Sequence, residues 1–391
     1  MHALLPGFQL ESKSGSLSDA VQTRRRRLLM ALPLVACGLV VPPVQAKSDI
    51  HQASKVLMGT RLDLTLQGSG SIDLASAADA AFAEMVRLAD MMSRYRNDSV
   101  LNAINLAAGL QPVPVPAEML QILKMAQQVS AASGGAFNAT VGSLKDWNFD
   151  PAHPSLANAQ QIAAQLPLVD AKGLVLNEKL GTAYLTKRGM RLDLGGIAKL
   201  PILQAGMQTL QAHGVRNAML NGGGDVLVHG ELNGRPWRVG LRDPRQPDQL
   251  LGVLALNEGF VAASGDYERF FMHEGKRMHH ILDPKTGYPT QGPHGLALVS
   301  NNLAAINGLG AAIMVAGADA GKQRIAKLAQ VDAMIVSADN QLWLSSGMKG
   351  CGEYWQSVTD VRARKRPLPL LLPVTGCVKT KRRNPDAGCL T

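Results

Sequence analysis

Residues 191–225 read RLDLGGIAKLPILQAGMQTLQAHGVRNAMLNGGGD. A β-like run from Met190 to Leu194 turns through Gly195 and Gly196 into an amphipathic helical segment. A second apolar run, Ala218 to Leu220, breaks at Gly222, Gly223 and Gly224 before Asp225. Two glycine-rich corners thus flank one helix. Glycine lets backbone N–H groups come close to a phosphate, a helix N-terminus carries partial positive charge, and Lys199 sits one turn in. The segment is a candidate diphosphate cradle. It matches neither GxGxxG nor GxxxxGK[ST], and strand-to-helix turns also use glycine for steric reasons alone, so both readings stay open on local grounds.

Outward from this segment the pattern mixes helices and strands. On the N-terminal side, a β-like opening (Lys55 to Leu66) precedes an amphipathic segment from Asp73 to Tyr95 and a second from Pro116 to Ala132, where the proline is tolerated in a first turn. On the other side come strand-like runs at Trp237 to Leu241, Leu251 to Leu256 and Phe260 to Ala263, then a hairpin from Glu268 to Leu282. Helical segments at Asn302 to Val315 and Asp319 to Leu328 lead to short strands at Ala333 to Ser337 and Gln341 to Ser345. The order lacks regular βαβ alternation. It predicts an α+β fold, a mainly antiparallel sheet with packed helices.

Both termini stand apart from this body. Arg24 to Arg27 precede an apolar run (Leu28 to Val41), two prolines and Val44-Gln45-Ala46, the order of an export signal over residues 1–46 and too short to span a bilayer. TRRRRLL resembles a twin-arginine signal. Leu34-Val35-Ala36-Cys37 resembles a lipobox, so cleavage before a lipidated Cys37 competes with release after Ala46. Release is favoured, because Pro42 and Pro43 end the apolar helix just ahead of Ala46. The expected location is the periplasm. The C-terminal 351–391 segment is basic and Pro-rich and reads as a disordered tail, with weak attraction to anionic lipid as its alternative role.

The net charge of +10 belongs to these ends: residues 1–46 carry +3 and residues 361–391 carry +7, leaving the body neutral. A nucleic-acid surface on the folded part is therefore not implied. Cys351, Cys377 and Cys389 match no zinc spacing; one disulfide among them is open.

Polar residues in unusual settings come next. Ser264-Gly265-Asp266-Tyr267 interrupts two strand-like runs, and a histidine pair, His279-His280, ends another before the turn Asp283-Pro284-Lys285-Thr286-Gly287. A histidine at a strand end can accept a proton near neutral pH, although the same residues also make an ordinary turn. Tyr95, Trp147 and Phe149 can stack on a planar ring or serve as core.

Taken together, these pieces resemble the ApbE family of flavin transferases. The likeness runs in order through Met58-Gly59-Thr60, Ser93-Arg94-Tyr95-Arg96, the loop from Gly135 to Gly142, Asp193 to Lys199, Asn221 to Asp225, Arg242 to Arg245, Ser264 to Tyr267, His279 to Pro289 and Ser345 to Met348. The resemblance implies an exported, T-fold-related ApbE-like domain over 47–350. It implies FAD and Mg²⁺ as ligands and transfer of FMN to a Ser or Thr of an acceptor protein, expected in a membrane redox complex, with release of AMP. It further implies Met58 and Tyr95 against the flavin, Ala136, Phe137 and Asn138 lining the site, Asp193, Lys199 and Ile281 on FAD, and His280 as base. The backbone carbonyls of Gly196 and Gly310 are implied metal ligands.

Departures from the family pattern concentrate on the metal. Asn307 and Ala311 stand where the pattern has an Asp and a Thr, and hard cations prefer charged oxygen ligands. Lys199 is followed by Leu200-Pro201 in place of Gly and an aromatic, Gln204 replaces an Asp, and Asn138 replaces the common Asp. The expected metal site is weakened or absent. Three readings follow: an active transferase, an FAD-binding homologue serving as carrier or scaffold, and a membrane-associated interaction protein.

Overall fold

A computed structural model of the chain describes residues 48–246 and 248–353. The export signal, Cys37, Cys377, Cys389 and the tail beyond Glu353 lie outside the described residues. Eight strands form the main sheet, all neighbours antiparallel, in the order β1 (Ser48–Leu57), β2 (Thr60–Ser69), β6 (Asn217–Gly222), β7 (Asp225–His229), β11 (Glu258–Gly265), β14 (Gly295–Ser300), β15 (Asp332–Val336) and β16 (Leu342–Leu344). A second sheet runs β17 (Gly352–Glu353), β10 (Leu250–Leu256), β9 (Arg235–Arg242) and β8 (Glu231–Leu232). A small sheet, β3 (Val113–Pro114), β5 (Thr182–Leu185) and β4 (Leu174–Asn177), and the hairpin β12 (Phe270–His273) with β13 (Lys276–His279) complete the strands. Because β17 pairs with β10, regular structure continues past the 350 boundary drawn from composition.

The main sheet is buried on both faces, which is why its central strands are apolar at consecutive positions. On one face Leu62, Leu64, Leu66, Leu220 and Leu227 pack against α1 (Leu74–Met91) and α5 (Lys199–Ala212), in one core with Phe260 and Leu298. On the other, the alternate residues Val226, Val228, Val261 and Met334 meet Trp237, Val239, Leu251 and Leu254 of the second sheet. Period-two alternation places each set on its own side. The helices approach closely: a Cβ on Gly206 of α5 would come 2.6 Å from the Met85 sulfur of α1. The α1 N-terminus is where the sequence puts it, with Asp73 accepting from Ser76 N at 3.0 Å. In α3 (Ala117–Ala132), Pro116 is the cap residue just ahead of the first turn.

Three expectations are corrected. Met190 to Leu194 joins no sheet: Leu192 N donates to Asn105 Oδ1 at 2.7 Å and Arg191 N to Ser143 Oγ at 2.9 Å, so side chains replace a neighbouring strand. Lys199 is the first residue of α5 and not a turn inside it. The helix expected from Asn302 to Val315 is two, α6 (Leu303–Ile306) and α7 (Leu309–Ala316), because Gly308 adopts φ 75° between them.

Candidate active site

One end of the main sheet is built from two adjacent two-residue hairpins. Met58 and Gly59 join β1 to β2 with φ of 54° and 71°, and Gly223 and Gly224 join β6 to β7 with φ of 67° and 93°. Such positive φ pairs match the right-handed twist of the flanking strands. Gly223 is required twice over, since a Cβ there would also lie 2.3 Å from Thr60 Oγ1. Above this end lies a cleft of about 300 Å³, walled by the hairpin turns, the Ala136–Asn138 loop, the Asp193–Lys199 turn, the His280–Pro284 segment and the α6–α7 break.

Two acidic side chains in the cleft, Asp193 and Asp225, are held by N–H donors. Asp193 Oδ2 accepts from Arg94 Nη1 at 2.6 Å and Oδ1 from Gly195 N at 2.8 Å. Burial pushes the Asp193 carboxyl up, but Arg94 and the Gly195 amide outweigh it and hold it below the usual carboxylate range. Asp225, 8% exposed, accepts from Ala263 N at 3.0 Å and faces Lys199 Nζ at 3.4 Å. There burial wins over Lys199, and the carboxyl is raised.

The two histidines divide their roles. His279 is buried, with Nε2 2.9 Å from the Thr290 carbonyl and Nδ1 accepting from Ile281 N at 3.4 Å, so it is a neutral brace for the turn. His280 is half-buried and lines the cleft. Burial and the positive charge of Arg269 push its imidazolium down to about 3, so the ring is neutral at pH 7 and free to accept a proton. The segment carrying it is anchored from below: Trp147 Nε1 donates to the Gly287 carbonyl at 3.0 Å, and Trp147 stacks on Phe149 at 5.6 Å. These aromatics are core and do not face the cleft.

The ApbE family profile matches residues 58–335. The chain belongs to the ApbE family. It is 32% identical over 300 residues to an FAD:protein FMN transferase of Klebsiella pneumoniae, covering 76% of this chain and 92% of that protein. An FAD:protein FMN transferase of Treponema pallidum is 27% identical over 335 residues, covering 81% and 92%. Among solved structures, the ApbE protein of Thermotoga maritima superposes with a TM-score of 0.72 at 29% identity, covering 78% of this chain and all of that one.

Within this ApbE fold, the structure gathers almost every residue singled out from the sequence. Met58, Ala136, Phe137, Asn138, Asp193, Lys199, His280 and Ile281 all line the cleft, as do Gly196, Asn307, Gly310 and Ala311. Tyr95 does not: it is 77% exposed, outside the lining, beneath the guanidinium of Arg94 at 5.5 Å. Asn138 caps a short 3-10 turn, its Oδ1 accepting from Thr140 N and Oγ1 at 3.0 and 2.7 Å. Sequence reading did not single out Asp225 or Arg269 as site residues. Asp225 was legible as the residue closing the glycine run; Arg269 sits in a polar loop with no local signal.

The residues do not fit the Mg²⁺ that the family resemblance implies. Ala311 offers no side-chain donor, and Asn307 turns its amide nitrogen, not a charged oxygen, toward its neighbours: Nδ2 donates to the Ile197 carbonyl at 2.8 Å. Among the described residues no three His, Cys, Asp or Glu side chains form a metal-holding group. Hard divalent cations take oxygen ligands, preferably anionic ones.

Proposed function

We propose that this protein is an FAD:protein FMN transferase, moving FMN from FAD to a Ser or Thr hydroxyl of an acceptor protein. The observation that carries the reading is the neutral His280 imidazole in the same cleft as Lys199 and the N-terminus of α5. The acceptor oxygen attacks the FMN phosphorus, the bond from that phosphorus to the bridging oxygen breaks, and AMP leaves with the bridging oxygen. His280 takes the hydroxyl proton. Lys199 and the first amides of α5 meet the developing charge on the phosphoryl oxygens. An anionic diphosphate beside His280 offsets Arg269 and Lys199, which raises the basicity of the ring when substrate is bound.

The arginine run and apolar stretch of residues 24–41 support export, so the acceptor is expected on the periplasmic side, in a membrane redox complex. The test incubates the full chain with FAD and a domain carrying a flavinylation site and looks for a fluorescent acceptor in a denaturing gel. Flavin transfer that survives undiminished in His280→Ala would remove the assigned base. FAD bound with no labelled acceptor would leave the carrier reading in its place.

A further inference from the structure

The groups around Asn307 are arranged for a hydrogen bond and not for a cation. Asn307 is 3% exposed, and its Nδ2 lies 2.8 Å from the Ile197 carbonyl and 3.0 Å from Met125 Sδ. Both neighbours are acceptors, so the amide must present its N–H groups to them. Two of the three carboxylates lining the cleft are engaged: Asp193 accepts from Gly195 N and Arg94, Asp225 from Ala263 N with Lys199 at its other oxygen. All four of these oxygens thus face N–H groups, and Glu268, the third carboxylate of the lining, joins no group of three acidic, His or Cys side chains that could hold a metal among the described residues.

What the cleft offers an anion is cationic. Lys199 stands at the head of α5, and its ammonium has three donors, of which the 3.4 Å contact to Asp225 occupies at most one. Arg269 also lines the cleft, its carbonyl accepting from His280 N at 3.1 Å. Resting on the flavin reading above, we propose that this chain holds the FAD diphosphate without a divalent cation, with Lys199 and Arg269 supplying the positive charge.

The full chain is titrated with FAD, following flavin fluorescence, in EDTA and in millimolar MgCl₂. The expected midpoints coincide, and Lys199→Ala or Arg269→Ala weakens binding by roughly tenfold, the scale of one charge-assisted hydrogen bond. Roughly tenfold tighter binding of the unaltered chain in MgCl₂ overturns the proposal, as does full affinity in both variants. A second readout needs no flavin. The melting midpoint of the unaltered chain should be the same in EDTA and MgCl₂, and a rise in MgCl₂ overturns the proposal independently. Asn307→Asp is the positive control. It sets a carboxylate oxygen against the Ile197 carbonyl, an arrangement of two acceptors that a cation can bridge, so its midpoint should fall in EDTA and recover in MgCl₂. A chain that binds no FAD in either buffer sinks the transferase reading instead, while the melting comparison still decides the metal question.

Discussion

Arg94 and Asp193, ninety-nine residues apart, close a 2.6 Å ion pair at the wall of the cleft. The pair fixes the Asp193 carboxylate while its other oxygen accepts from Gly195 N, so one side chain ties the end of α1 to the turn that leads into α5. Arg94→Ala should cost about 1–3 kcal/mol, because a half-buried carboxylate loses its charged donor. Urea unfolding checks the value. FAD binding should weaken with it, and a variant as stable and as tight as the parent would show the pair to be idle.

The pH dependence follows from His280. Its folded value, near 3, lies below the 6.5 of an exposed imidazole. Between these limits the unfolded chain binds a proton that the folded chain does not, so stability is full above pH 6.5 and declines as pH falls toward 3. His279, lowered chiefly by burial, acts in the same direction. His280→Ala should therefore reduce, without abolishing, the loss of stability between pH 7 and pH 5, read from urea midpoints at the two values. An unchanged slope would contradict the neutral state of the half-buried ring.

Gly223 separates two costs that usually come together. Gly223→Ala meets Thr60 Oγ1 at 2.3 Å and also forces a side chain into φ 67°. The backbone part alone is about 1–2 kcal/mol. Combining it with Thr60→Ala should recover the steric part and leave the backbone part, so the double variant should fall between Gly223→Ala and the parent in denaturant unfolding. Full recovery would mean the turn tolerates alanine.

Trp147→Phe retains a ring in the stack but leaves the Gly287 carbonyl without its 3.0 Å donor. The expected loss is about 1–3 kcal/mol for an unsatisfied buried acceptor. Transfer should slow as well, since this contact anchors the turn that follows His280. Stability within error of the parent would show that the carbonyl finds another partner.

The sequence made much of this legible because several signals are local. The amphipathic patterns of α1 and α3 and the glycine corners act within a few positions of themselves. Other features have no local signature. Met190 to Leu194 looks like a strand, yet its backbone donors are met by Asn105 and Ser143, far away in the chain. The break at Gly308 is hidden inside a helical pattern because one glycine is tolerated in many helices.

The same division governs the cleft. The order of glycine corners, the histidine pair and the Asn307/Ala311 substitutions are properties of the sequence, and they established the family resemblance and questioned the metal. Only the fold decided that Asn307 donates to Ile197 at 2.8 Å, that Arg94 holds Asp193, and that Tyr95 stands outside the lining. Residue type limits which donors and acceptors a position can supply. Which of them meet is set by segments brought together across a hundred residues and more, through burial on both faces of one antiparallel sheet.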